Sequence, residues 1–188
     1  MQAMRAALAL ALCALLTLFA APASAGQDDP RLDEMFEVLQ SGELSFTEAK
    51  ALEQRIWGVW LETDSGSAEV LLKDGMAAMS DRDVERAEES FTALVELAPD
   101  FAEGWNKRAT VRYYGGDYAG SIEDIKRTLT LEPRHFGAMS GLGLNYDALG
   151  DAEAAAEAYE KALDLNPYMP GIAQRLEQLR DQLEDNKI

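Results

Sequence analysis

The chain has 188 residues, with 34 acidic side chains against 17 basic ones and one histidine, for a formal charge of −17 near neutral pH. A field of that sign repels nucleic-acid phosphates and anionic lipid surfaces, so nucleic-acid binding is set aside and the acidic excess reads as a source of solubility. The only cysteine, Cys13, lies in the leader, which leaves the rest of the chain without a disulfide, a thiolate metal site or a cysteine nucleophile.

In residues 1–25 one charge, Arg5, precedes an apolar run from Ala6 to Ala21, and the segment ends Ala23-Ser24-Ala25, the small-x-small pattern that signal peptidase reads. The expectation is an exported protein of a bacterial periplasm, cleaved after Ala25. The apolar run is shorter than the roughly 20 residues a spanning helix needs, and Pro22 interrupts it, so a retained anchor is the minority alternative. Cys13 stands inside the run, between Leu12 and Ala14, rather than at its end behind small residues, which argues against lipidation. Cleavage would remove Arg5 and no acidic residue, leaving 16 basic and 34 acidic side chains, or −18.

Residues 26–64 predict a helix pair and linker. Pro30 suits a first helical turn, and Leu32, Met35, Phe36 and Leu39 form an apolar stripe that stops at Ser41-Gly42. Ser45-x-x-Glu48 is a capping box, opening a second helix with Ala49, Leu52, Ile56, Val59 and Trp60 on one side. The pair is expected to pack on the first repeat as an N-terminal cap, because a solenoid end needs its apolar face covered. Thr63-Asp64-Ser65-Gly66 is the linker, with Ser67 placed to cap the next helix.

Pro99, Pro133 and Pro167 stand 34 residues apart, and the same pattern recurs around each. Gly75, Ala109 and Gly143 share one column, Ala87, Ser121 and Ala155 a second, Phe91, Ile125 and Tyr159 a third, Leu97, Leu131 and Leu165 a fourth. Asp83, Asp117 and Asp151 open the second half of each unit. In the third, Ala155, Ala158, Tyr159, Ala162 and Leu163 recur at helical spacing behind an Asp151 cap. Gly143 and Ala155 let two helices approach closely, and Pro167 cannot continue the second. The units 68–101, 102–135 and 136–167, within a domain spanning 65–167, therefore each read helix, turn, helix, stop.

In residues 168–188, Pro170 and Gly171 precede Ile172, Leu176, Leu179 and Leu183, the pattern of a C-terminal capping helix. It spans too few heptads to favour a dimerising coiled coil, so a monomer is preferred. The tail from Asp185 to Ile188 is expected to fray.

Catalytic chemistry finds little support. His135 follows Pro133 at a junction and reads as a loop histidine shaping the turn. One histidine cannot build a usual zinc site, Asp81-Arg82-Asp83 is not a calcium loop, and Glu88 and Glu89 read as a solvated helix face. No catalytic residue, metal site or cofactor is expected.

These columns resemble the tetratricopeptide repeat (TPR) family, over residues 68–167. The third unit matches best, with Leu142, Gly143, Tyr146, Gly150, Asp151, Ala155, Tyr159, Ala162 and Pro167. The second keeps Trp105, Gly116, Asp117, Tyr118 and Pro133 but departs at Ala109, Ser121, Ile125 and Thr128. The first keeps Gly75, Ala87, Phe91 and Pro99, with Leu71 in place of the early aromatic. The resemblance implies an all-α TPR solenoid of three helix-turn-helix repeats.

It also implies a concave groove lined by the first helix of each repeat. By register that groove takes Leu72, Met76 and Met79 from the first, Asn106, Lys107, Thr110, Tyr113 and Tyr114 from the second, and Ser140, Leu144 and Asp147 from the third. Met79 and Tyr113 have an alternative role in sealing helix against helix. The family's carboxylate clamp is missing, since Leu72, Met76, Gly137 and Gly141 stand at its positions, and only Lys107 and Arg108 remain to hold a carboxylate. The resulting expectation is a non-catalytic, exported scaffold or adaptor that binds a peptide or protein partner. A binder of small molecules or peptidoglycan fragments is the alternative, and an enzyme ranks third.

Overall fold

The structure, a computed structural model, describes residues 25–185, which form helices joined by short turns and loops. Residues 1–24 of the expected leader and residues 186–188 of the expected tail lie outside the described residues, while Asp185 ends α9. A short 3-10 turn at Gly26–Asp28 precedes α1 (Arg31–Gln40), α2 (Phe46–Trp60), α3 (Gly66–Ser80), α4 (Val84–Leu97), α5 (Ala102–Gly115), α6 (Tyr118–Leu131), α7 (Phe136–Ala148), α8 (Ala152–Leu165) and α9 (Pro170–Asp185). None of these helices is long and apolar enough to cross a membrane.

The three repeats are the hairpins α3–α4, α5–α6 and α7–α8, each packed on the next. Asp83, Asp117 and Asp151 cap α4, α6 and α8 by accepting the third-residue amides of Arg86, Gly120 and Ala154 at 3.1, 2.9 and 3.0 Å. Close approach explains the glycine column: a Cβ on Gly75 would lie 2.5 Å from the Phe91 ring, and one on Gly143 would collide with Tyr159. In the second repeat Ala109 faces the smaller Ile125 instead. Its other departures carry hydrogen bonds, from Ser121 Oγ to the Ala109 carbonyl and from Thr128 Oγ1 to that of Asp124.

At the C-terminus α9 covers α8, with Leu176 and Leu179 buried against Ala155, Ala156 and Tyr159. Arg175 donates twice to the Asp147 carboxylate, at 2.6 Å each, and fixes α9 to α7.

Two local expectations are corrected. The α3 cap is Ser65, whose Oγ accepts the Ala68 amide at 3.3 Å, so the helix starts ahead of Ser67. The N-terminal pair does form, with its capping box and all of its expected apolar stripe buried, but it does not cap the first repeat. Its core is shared with Phe136 at the start of α7, and Leu165, Tyr168 and Met169 pack against it.

The pair runs as a strap along the edge formed by the turns between repeats. Gln27 bonds the Asp100 carbonyl and the Ala102 amide at the first turn. Arg134 of the second turn donates to Asp33 at 2.7 Å. At the third, the Leu44 amide donates to the Tyr168 hydroxyl and Asn166 to Glu53, at 3.0 and 3.2 Å. The aromatic cluster of Trp57, Trp60, Phe36 and Phe136 prefers this site, because an end cap would leave those rings wet.

Candidate binding groove

Helix α5 meets α7 beside an open hollow of about 140 Å³. Asn106, Thr110, Tyr113 and Tyr114 line it from α5, and Ser140 and Leu144 from α7, so six of the eleven positions named for the groove converge. Ala109, Ser121, Ile125, Gly137, Gly141 and Asn145 complete the lining. Thr110 donates to the Asn106 carbonyl and Ser140 to that of Gly137, each at 2.9 Å.

The aromatic pair divides its work. Tyr113 is half-buried between Tyr114 and Tyr118, with ring centroids 5.7 and 5.6 Å away, and its phenol is pushed up by burial. Tyr114 is 71% exposed. The remaining positions lie elsewhere. Leu72 is buried in the first repeat's core, Met76 is exposed on α3, and Met79 lines a second cavity. Asp147 is held by Arg175.

One end of the groove is closed by the strap. The Trp57 ring lies over Gly137, where a Cβ would come within 2.5 Å of it, and Lys107 sits 5.3 Å from that ring's centroid. Neither of the two cations left to hold a carboxylate is free. Arg108 makes a two-pronged pair with Asp124, both contacts at 2.8 Å, and Lys107 lies 2.8 Å from Glu103 Oε1, in ionic contact but off the line of a hydrogen bond.

Glu103 and His135 are fully buried behind this end. His135 caps α7: its Nδ1 accepts the Ala138 amide at 3.0 Å, which assigns the proton to Nε2, 2.9 Å from Glu103 Oε2. The imidazole stacks on Trp60 at 4.1 Å and 11°. Asn106 donates to Glu103 at 3.0 Å. Burial works against charge on Glu103, but the Lys107 ammonium and the His135 N–H hold its carboxyl below the usual range. A histidine and carboxylate so placed resemble a base and its orienter, yet both are sealed under Trp57 and Trp60, so they position the strap. Among the described residues no three His, Cys, Asp or Glu side chains are grouped to hold a metal ion.

The second cavity, about 470 Å³, lies between the ends of α3 and α5 and the start of α4, lined by Met79, Arg82, Val84, Ala87, Val111 and Tyr114. The sequence reading missed Glu103, Trp57 and Arg82. Only Arg82 left a signal, since it stands in the 34-residue column where the other repeats have Gly116 and Gly150.

Residues 106–170 match the model of the tetratricopeptide repeat family. The TPR domain of Sgt2 from Aspergillus fumigatus superposes with a TM-score of 0.62 at 25% identity, over 65% of this chain and 83% of that one. The first TPR of Spaghetti (RPAP3), bound to an HSP90 peptide, also gives 0.62, at 23% identity over 65% and 97%. A TPR repeat-containing protein of Rhizobium etli is 30% identical over 157 residues, 84% of this chain and 76% of its own length. With its three units at a 34-residue period, their aspartate caps and this relative, the chain belongs to the tetratricopeptide repeat family.

Proposed function

We propose that the protein is a non-catalytic interaction module, acting as an exported scaffold or adaptor, that takes an extended segment of a partner protein into the hollow between α5 and α7. The observation that carries this is the exposure of Tyr114 and Leu144, 71% and 39%, beside the hydrogen-bonding groups of Asn106, Thr110 and Ser140. Exposed aromatic and aliphatic groups around a small polar set are what a partner's side chains bury against. At about 140 Å³ the hollow falls below the roughly 300–1,000 Å³ of sites that enclose a small molecule, which favours the peptide. The Spaghetti domain with its HSP90 peptide supports the reading, although the occupied Lys107 and Arg108 argue against a grip on a free C-terminal carboxylate here.

Peptides selected on the chain from a random library should bind about tenfold or more weakly to Leu144→Glu, measured by fluorescence anisotropy. Glu157→Ala, on the exposed side of α8, should leave affinity within a few tenths of a kcal/mol. Equal binding to Leu144→Glu would remove the groove as the site. The export half rests on Arg5, the apolar run and Ala23-Ser24-Ala25. The intact mass from the native host should correspond to a chain starting at Gly26, and a full-length cytosolic species would refute it.

A further inference from the structure

The 470 Å³ cavity plays no part in the reading above, and since its volume lies within the roughly 300–1,000 Å³ of sites that enclose a small molecule, its lining rather than its size decides the occupant. Met79, Val84 and Val111 make its apolar walls, while Tyr114 and Arg82 are of another kind. Arg82 occupies the column that Gly116 and Gly150 fill in the other repeats, and it shares their left-handed backbone, with φ 61° against 83° and 79°. A side chain there is strained, and among the described residues no side-chain hydrogen bond of Arg82 offsets it. Among the described residues Arg82 forms no ion pair, although Asp81 and Asp83 flank it in a strongly acidic chain. Asp83 is committed to the cap of α4. A strained, unpaired cation at the rim of an apolar cavity breaks the local pattern without a structural gain, which marks it for a ligand with an apolar body and an acid group.

We propose that this cavity is a second subsite of the groove, filled by an apolar side chain of the bound peptide whose neighbouring Asp or Glu meets Arg82. The inference rests on the peptide-binding reading above. Tyr114 walls both hollows, so one extended chain crossing its ring reaches from the first into the second, which favours a peptide over a free amphiphile. Arg82 lies on the exposed rim, where a carboxylate keeps much of its hydration, so the contact selects among sequences more than it adds affinity.

A random dodecapeptide phage library is selected in parallel on the chain and on Arg82→Glu, Val84→Trp and Leu144→Glu. The unaltered chain should enrich an apolar residue with Asp or Glu within a few positions, and Arg82→Glu should exchange that acid for Lys or Arg. Val84→Trp, which fills the cavity from a wall 39% exposed, should abolish the apolar requirement. A synthetic enriched peptide should bind Arg82→Gly about three- to fivefold more weakly, while the melting temperature holds or rises because glycine relieves the backbone. A consensus without an acid, or one unchanged on Arg82→Glu, overturns the inference. If that consensus still vanishes on Leu144→Glu, the groove reading stands without it. No enriched peptide on any form overturns both, as does saturable uptake of dodecanoate in place of peptides.

Discussion

Glu103 shows how a buried charge is made tolerable in this protein. It is enclosed completely, yet Lys107, Asn106 and His135 converge on its two oxygens. Its folded pKa is depressed below the ordinary 4.5, so its contribution to stability is complete above that value and is lost as pH falls through the lower folded value. Glu103→Gln should therefore cost about 3 kcal/mol or more near pH 7, because Lys107 and the His135 N–H lose their counter-charge. In urea titrations, the gap between the variant and the unaltered chain should narrow as pH drops below about 4.5. A gap independent of pH would mean that packing, not charge, is the term removed. Nothing in the sequence marked Glu103, since an i, i+4 Glu–Lys pair reads as surface decoration until the ring above it is placed.

Among the elements, α5 does two jobs with adjacent tyrosines. Tyr113 leans into the Tyr114–Tyr118 cluster, whereas Tyr114 stands clear of the helix stack. Tyr114→Ala should weaken peptide binding by about 2 kcal/mol with its melting temperature unchanged, while Tyr113→Ala should lose stability as well. Calorimetric melting alongside the binding titration checks both, and a melting loss in Tyr114→Ala would make it a packing residue. The control belongs on α8 rather than α4, since Glu88, expected in solvent, accepts from Arg112 at 3.0 Å. Helices, caps and the glycine column were legible because each is fixed by residues within one repeat, as Asp151 and Gly143 show. The hairpin α1–α2 was legible as a hairpin for the same reason. Its docking was not, because the stripe ending in Trp60 says only that it wants an apolar partner, and Phe136 lies 76 residues away. The groove was readable only through resemblance, and Leu72 fell away where helix packing claimed it, while Met79 went to the wall of the second cavity.

For the whole molecule, the strap replaces the independence usual in solenoids, whose stability is a sum of repeats and nearest-neighbour interfaces. Trp60 touches His135 and Phe136 at once, so Trp60→Ala should cost about 3 to 5 kcal/mol. Hydrogen exchange should then show α7 to α9 opening ahead of α3 and α4, whereas the unaltered chain should open as one unit. Uniform weakening from α1 through α9 would show that coupling along the stack, not the strap, carries the cooperativity.

The strap is also a ruler. It meets the first turn through Gln27, the second through Asp33 of α1, and the third through Leu44 between the helices and Glu53 of α2, so its length is matched to three successive turns. An open array grows by duplicating a unit, each copy resting only on its neighbours. Here a fourth repeat inserted between the second and third would carry Tyr168 and Asn166 beyond the reach of Leu44 and Glu53. The strap belongs to none of the repeats it joins, so lengthening the array would first require lengthening the strap.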